Sequence, residues 1–382
     1  MYKNKMEGKT ISSGRLQLSG NKLLHHPEEI EKWQRGEPFA PIMIEFGPVS
    51  YCNHKCIHCY VMDEMRGDRL DSDVYLKFVK DAGDFGVKSI ILGGCGEPML
   101  HPKTPEALEV GVKHGLNFGM YTNGVPITER NTPQLIDNLT FIRFSINGFS
   151  NESHQFIHDT KNSDLDKVKK NLEGCIEYKR KNDSECTIGV YCVLFNENLD
   201  DVYEGTKWLR DIGVDYALFK PISQGTGNIQ HIQAANLENH PTLVSDLETL
   251  QTDDFHVTVR ADLIRDGYVR LGYDRCYGLP FECAIDADGS VYTCNWYWGK
   301  EEFKYGNLND NSFPEIWESE KAKSLRSHVS SPEFKIGNCC GSCKQNSINK
   351  TLYQINHNPD KAREIEETLK SPGITPQHVN FL

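Results

Sequence analysis

The chain has 382 residues, 38% hydrophobic and 25% charged, enough apolar material for a sizeable buried core. Lysine and arginine number 42 against 54 aspartates and glutamates, a net charge of −12, so neither nucleic-acid phosphates nor a bilayer surface is an expected partner. No uncharged apolar run reaches membrane-spanning length, no signal-peptide core opens the sequence, and thirteen cysteines do not fit a disulfide scaffold; the expected setting is the reducing cytoplasm, where clustered cysteines read as metal ligands.

Residues 1–40 read as a polar amino-terminal extension ending in a short helix around Pro27–Trp33. From 41 to 225 strands and helices alternate. Strands are expected at Ile42–Phe46, Ser89–Leu92, Asn117–Tyr121, Thr140–Ile146, Thr187–Leu194 and Tyr216–Lys220. Amphipathic stretches at Asp73–Phe85, Pro105–His114, Asp164–Lys179 and Asp200–Ile212 lie between them. The alternation predicts a parallel sheet with helical crossovers, open or closed into a barrel. Residues 226–270 form a connecting segment with one helix at Pro241–Leu250. In 271–350, Phe281–Ile285 and Val291–Cys294 flank an Asp288-Gly289 hairpin turn, and a helix at Phe313–Arg326 precedes a cysteine-rich run. The tail, 351–382, is helical and then broken by proline.

Just after the first strand, Cys52, Cys56 and Cys59 stand in a C-x3-C-x2-C pattern. Such spacing on a tight loop brings three thiolates within the width of one cubane iron–sulfur cluster. Zinc, with His54 or His58 completing the set, is the alternative, although zinc sites more often pair two C-x2-C knuckles. The second strand ends in Gly93-Gly94-Cys95-Gly96-Glu97-Pro98, glycines that let a ligand approach the backbone and that match neither the dinucleotide nor the P-loop fingerprint. In Phe141-Ile142-Arg143-Phe144-Ser145-Ile146-Asn147, the polar Arg143, Ser145 and Asn147 share one face, which in a barrel points inward.

The cysteine triplet after strand one together with GGxGEP after strand two resembles the radical S-adenosylmethionine (SAM) superfamily across roughly residues 40–225. The resemblance implies a partial (β/α)6 barrel in which Cys52, Cys56 and Cys59 hold a [4Fe–4S] cluster whose open iron binds SAM. It implies reductive cleavage of SAM to a 5′-deoxyadenosyl radical that abstracts hydrogen from substrate. Gly94, Gly96 and Glu97 then line the methionine amino group, His58 lies near the adenine, and Ser145 contacts the ribose or carboxylate. Asn123 and Lys220, at the ends of strands three and six, are weaker candidates for the same pocket. Arg143 or Lys220 is offered as a catalytic base or anchor from polarity alone.

Farther on come Cys276, Cys294, Cys340 and Cys343, the last two in C-x2-C, with Gly306-Asn307-Leu308 and Ile316-Trp317 between. Zinc would suit that spacing alone; after a radical SAM barrel the order resembles a small α+β auxiliary-cluster domain of the twitch/SPASM kind. No cysteine follows Cys343, which favours the shorter twitch form with one auxiliary [4Fe–4S] cluster. Cys339 competes with Cys340, preferred for its spacing.

The leading expectation is a radical SAM dehydrogenase acting on a small hydroxylated, sugar- or cyclitol-like substrate and drawing electrons from a donor such as flavodoxin or ferredoxin. A ribosomal-peptide epimerase or cross-linking maturase is the first alternative, and a non-catalytic zinc-binding interaction protein the second.

Overall fold

The computed structural model describes residues 20–59, 61–222, 235–260, 272–334, 336, 339, 343–370, 376 and 378–382. One ten-stranded sheet organises the described residues. Seven strands run parallel in chain order: β1 (Met43–Phe46), β2 (Ser89–Leu92), β3 (Asn117–Thr122), β4 (Phe141–Ser145), β5 (Thr187–Val193), β6 (Tyr216–Lys220) and β7 (His256–Val259). On the far side of β1 lies β8 (Glu282–Ile285), parallel to it, followed by antiparallel β9 (Ser290–Tyr292) and β10 (Lys304–Asn307). The hairpin expected from Phe281–Ile285 and Val291–Cys294 is present as β8 and β9, but instead of standing alone it extends the barrel sheet through β8.

Strands β2 and β6 have the expected bounds, because parallel strands covered on both faces read as short apolar runs. Neither β7 nor β10 was expected. β7 lies in the segment read as a connection, where residues 223–234 and 261–271 fall outside the described residues. The crossovers include α1 (Pro27–Arg35, before β1), α2 (Ser72–Phe85), α3 (Thr104–Lys113), α4 (Thr132–Asn138), α5 (Asn151–His158), α6 (Leu165–Asn182), α7 (Val202–Ile212) and α8 (Leu243–Thr249). The helix expected at Phe313–Arg326 is two, α9 (Phe313–Glu318) and α10 (Glu320–Val329). Ser319 divides them: its extended backbone ends the first, and its Oγ accepts the Ala322 amide that opens the second. Two helices follow, α11 (Asn346–His357) and α12 (Pro359–Lys370).

The outward faces of the strands, including Phe46, Leu92, Phe118, Ile142, Phe144, Val190 and Phe219, join the main core beneath the helices. Their opposite faces line the barrel interior. Register places Tyr121 beside Arg143 and Ser145 beside Tyr191, so the polar face of β4 does point inward. At the amino ends of the strands the interior is closed by residues 378–382. Ser89 Oγ donates to the Asn380 carbonyl at 2.5 Å, His378 Nε2 lies 3.0 Å from Thr187 Oγ1, and Phe381 packs edge-on against Phe141.

Candidate functional site

The loop after β1 carries Cys52, Cys56 and Cys59, all half-buried, and none of the described cysteines is in a disulfide. Hydrogen-bond donors converge on the sulfurs. The His54 amide lies 3.4 Å and Asn123 Nδ2 3.5 Å from Cys52 Sγ, and His158 Nδ1 lies 3.2 Å from Cys56 Sγ. Burial pushes the Cys52 thiol up to about 12 and the Cys56 thiol well above its ordinary value, and mutual repulsion among the three sulfurs adds to it. Three thiolates so placed need a soft cation to balance them.

The glycine run after β2 packs against this loop. Gly96 has φ +97°, and a Cβ there would come within 2.5 Å of the Val49 carbonyl and 2.6 Å of the Tyr51 carbonyl. At Gly94 a Cβ would meet the Trp298 ring at 2.3 Å. Both glycines thus admit close approach by the chain itself. Glu97 is buried, and burial raises its carboxyl; it accepts from Thr122 Oγ1 (2.8 Å), the Asn123 amide (2.7 Å) and the Met99 amide (3.2 Å). Asn123, fixed in turn, donates to Asn53 Oδ1 at 2.8 Å, so the end of β3 steadies the cysteine loop.

The other expected residues separate by depth. Ser145 closes β4 on the barrel interior. His58 stacks obliquely on Phe195 at 5.2 Å, its Nδ1 buried with no hydrogen-bond partner, and burial with nearby Lys220 lowers it to about 4. Lys220, at the end of β6, lies 5.0 Å from the Tyr191 ring centre; burial, with Lys344, Arg143 and Arg260 around it, lowers its ammonium to about 7. Arg143 is taken up in packing: its guanidinium sits 4.9 Å over Tyr121 and 5.6 Å from each of Phe141 and Tyr216, and Nε donates to Tyr216 OH at 2.8 Å.

A second site lies beside the barrel. Cys276, Cys294, Cys339 and Cys343 line one cavity, closed by Trp296, Tyr297 and Phe334. Burial pushes Cys276 up to about 12 and Cys343 up to about 11, each with a further push from neighbouring sulfurs. Four thiols around one cavity can complete a metal's coordination from protein alone. Cys340, expected as the ligand, lies outside the described residues; its neighbour Cys339 is among the cavity's walls. Glu282 joins them there, with Gln345 donating to its carboxylate.

Two family models match the chain: the radical SAM superfamily over residues 48–209 and the SPASM iron–sulfur cluster-binding domain over residues 276–344. Residues 48–209 form a radical SAM domain, followed by a SPASM domain. Among curated relatives, a tungsten-containing aldehyde ferredoxin oxidoreductase cofactor-modifying protein of Pyrococcus furiosus is 24% identical over 71% of this chain and 79% of its own length. The mycofactocin maturase MftC of Mycobacterium tuberculosis is 25% identical over 83% of this chain and 79% of its own. Among solved structures, SuiB of Streptococcus suis bound to SAM has a TM-score of 0.61 at 16% identity, covering 88% of this chain and 79% of that one, a likeness of fold. The radical SAM domain uses a [4Fe–4S] cluster and SAM, and the SPASM domain brings auxiliary iron–sulfur binding. Both thiol groups fit such occupants. No helix among the described residues is long and apolar enough to cross a membrane.

Sequence reasoning passed over His154, His158 and Asp164, which stand directly behind the cysteine loop. The i, i+4 spacing of the two histidines on a helix was the available signal.

Proposed function

We propose that this radical SAM enzyme is a maturase that modifies a peptide made on the ribosome, with Cys52, Cys56 and Cys59 holding the SAM-binding cluster and Cys276, Cys294, Cys339 and Cys343 an auxiliary one. The observation that carries the reading is the pairing of two thiol sites, one in the loop after β1 and the other including Cys294 just after β9 of the same sheet, in a chain whose relatives over four-fifths of its length include a mycofactocin maturase. The subtilosin biosynthesis protein AlbA of Bacillus subtilis, 23% identical over 82% of this chain, supports the same class. A dehydrogenase of small hydroxylated metabolites, the leading expectation from sequence, has less behind it.

When bound, SAM and the two clusters supply a carbon-centred radical that takes a hydrogen atom from substrate and a route for the electron left behind. The chain's own residues do the rest. Tyr191, Val193 and Phe195, on the substrate side of β5 and just after it, line an apolar wall that keeps water from the reacting carbon. Ser145 offers a hydroxyl at the mouth of β4. Lys220, with its ammonium lowered to about 7, can exist as the free amine near neutral pH and take a proton at Nζ as substrate is oxidised. Arg143, deep among aromatic rings, holds the barrel floor together.

The test is anaerobic incubation of the reconstituted enzyme with SAM, a strong reductant and synthetic candidate precursor peptides, with polyols and aminosugars in parallel. A mass change on the peptide, coupled to release of 5′-deoxyadenosine, is expected. Turnover of a polyol or aminosugar with the peptide left intact would return the dehydrogenase.

A further inference from the structure

Behind the cysteine loop lies a buried group that none of the chemistry above uses. His54, His154 and His158 are 2%, 0% and 0% exposed, and they surround the Asp164 carboxylate at the start of α6. Asp164 Oδ2 lies 2.9 Å from His54 Nε2 and Oδ1 lies 2.9 Å from His154 Nε2. His54 Nδ1 lies 3.1 Å from His158 Nδ1, which is also 3.2 Å from Cys56 Sγ. On its other side, His158 Nε2 faces the Asn147 backbone amide at 3.4 Å and Asn147 Nδ2 at 3.5 Å.

These contacts fix where the protons sit. A backbone amide only donates, so His158 Nε2 accepts and the His158 proton is on Nδ1. A carboxylate only accepts, so His54 and His154 each carry a proton on Nε2, and His54 Nδ1 is bare. Hence His158 Nδ1–H is a single donor aimed between two acceptors, His54 Nδ1 and the Cys56 sulfur. The loop is held to this donor by backbone bonds as well: the Lys55 amide donates to the His158 carbonyl at 3.1 Å and the Ile57 amide to the Ile157 carbonyl at 3.0 Å. The two ring nitrogens at Asp164 each have a carboxylate oxygen at hydrogen-bond distance, so a metal ion is not required to explain the cluster of imidazoles.

We propose that His158 is a positioning residue for the SAM-binding cluster, donating Nδ1–H to the Cys56 thiolate, with its tautomer set by Asn147 on one side and by the His54–Asp164 pair on the other. It rests on the assignment of Cys56 as a cluster ligand. A hydrogen bond to a ligating sulfur draws electron density from it and makes the cluster easier to reduce. Asp164 and His154 stiffen the arrangement without touching Cys56.

The experiment compares His158→Phe, His158→Asn and His154→Phe with the parent protein after anaerobic reconstitution, reading iron content and the midpoint potential of the cluster by redox titration with electron paramagnetic resonance. Asparagine presents an amide N–H close to the Nδ1 position. His158→Phe should keep its iron but take up electrons less readily, its ratio of reduced to oxidised cluster at a fixed potential falling about tenfold. His158→Asn and His154→Phe should titrate with the parent. An unchanged potential in His158→Phe, or His158→Asn shifted as far as His158→Phe, overturns the proposal. So does stoichiometric zinc in the iron-free parent that is lost in His154→Phe. If His158→Phe does not load iron, His158→Gln takes its place, since it keeps the bulk but carries its N–H away from the sulfur. A parent protein that binds no iron–sulfur cluster at all instead refutes the ligand assignment.

Discussion

Glu45, buried in β1, accepts hydrogen bonds from Lys344 Nζ at 2.9 Å and from Asn295 Nδ2 at 3.0 Å. Each partner directly follows a cysteine of the second cavity, Cys343 and Cys294. One carboxylate on the barrel wall therefore sets the position of two of the four thiols beside it.

Removing the cation should loosen the second site more than the first. Lys344 is half-exposed, so Lys344→Met is expected to cost only about 1–2 kcal/mol in stability, with part of that from leaving Glu45 underpaired. Iron at the auxiliary site should fall while the SAM-binding cluster is retained. In Glu45→Gln the effect of Lys344→Met should shrink, which a double-mutant cycle on chemical denaturation measures directly.

Substitution of the cysteines separates the two sites by stoichiometry. The reconstituted protein should hold about eight irons per chain, falling to about four in Cys52→Ala, Cys56→Ala or Cys59→Ala and in Cys276→Ala or Cys294→Ala. Only the first group should also abolish methionine release from SAM. Cys339→Ser is expected to lower auxiliary iron and Cys340→Ser to leave it; iron loss in Cys340→Ser alone would reverse that assignment.

Glu282 gives the metal-free protein a pH signature. Burial, with Glu45 nearby, raises its carboxyl from the ordinary value of 4.5 to about 7, despite the bond from Gln345. Between those values the folded chain holds a proton that the unfolded chain has released, so this group's contribution to stability is full below about 4.5 and is lost as pH rises through about 7. Denaturation midpoints of the parent relative to Glu282→Gln should decline across that window; parallel curves would show that the carboxyl is not buried as described.

Gly96→Ala tests the seam between the glycine run and the cysteine loop. At φ +97°, with carbonyl oxygens 2.5 and 2.6 Å from the added carbon, the cost should reach about 1–3 kcal/mol. Thermal unfolding should report that loss, and because the oxygens belong to the cysteine loop, retention of SAM-binding iron should fall with it.

The barrel strands were legible because each is a short apolar run closed by a polar or glycine-bearing end, and the cysteine and glycine motifs stand where those ends must be. β7 was not, since His256-Val257-Thr258-Val259 is short and only Val257 is fully buried. Nor was the pairing of β8 with β1, which joins Met43 to Glu282 across most of the chain and leaves no local trace. Lys220 was singled out by its place at a strand end, whereas the cationic neighbours that lower its ammonium come from distant parts of the chain and left no local trace. Polarity on the inward face identified Arg143, but no spacing rule reveals the three aromatic rings around its guanidinium.

The segment that stoppers the amino ends of the strands meets Ser89 from 291 positions away. Until it arrives, the first residues of β2, β3 and β5 stand open to solvent around an unfinished cavity. Closing the barrel thus depends on contacts between residues far apart in the chain, the kind of long-range pairing that slows folding.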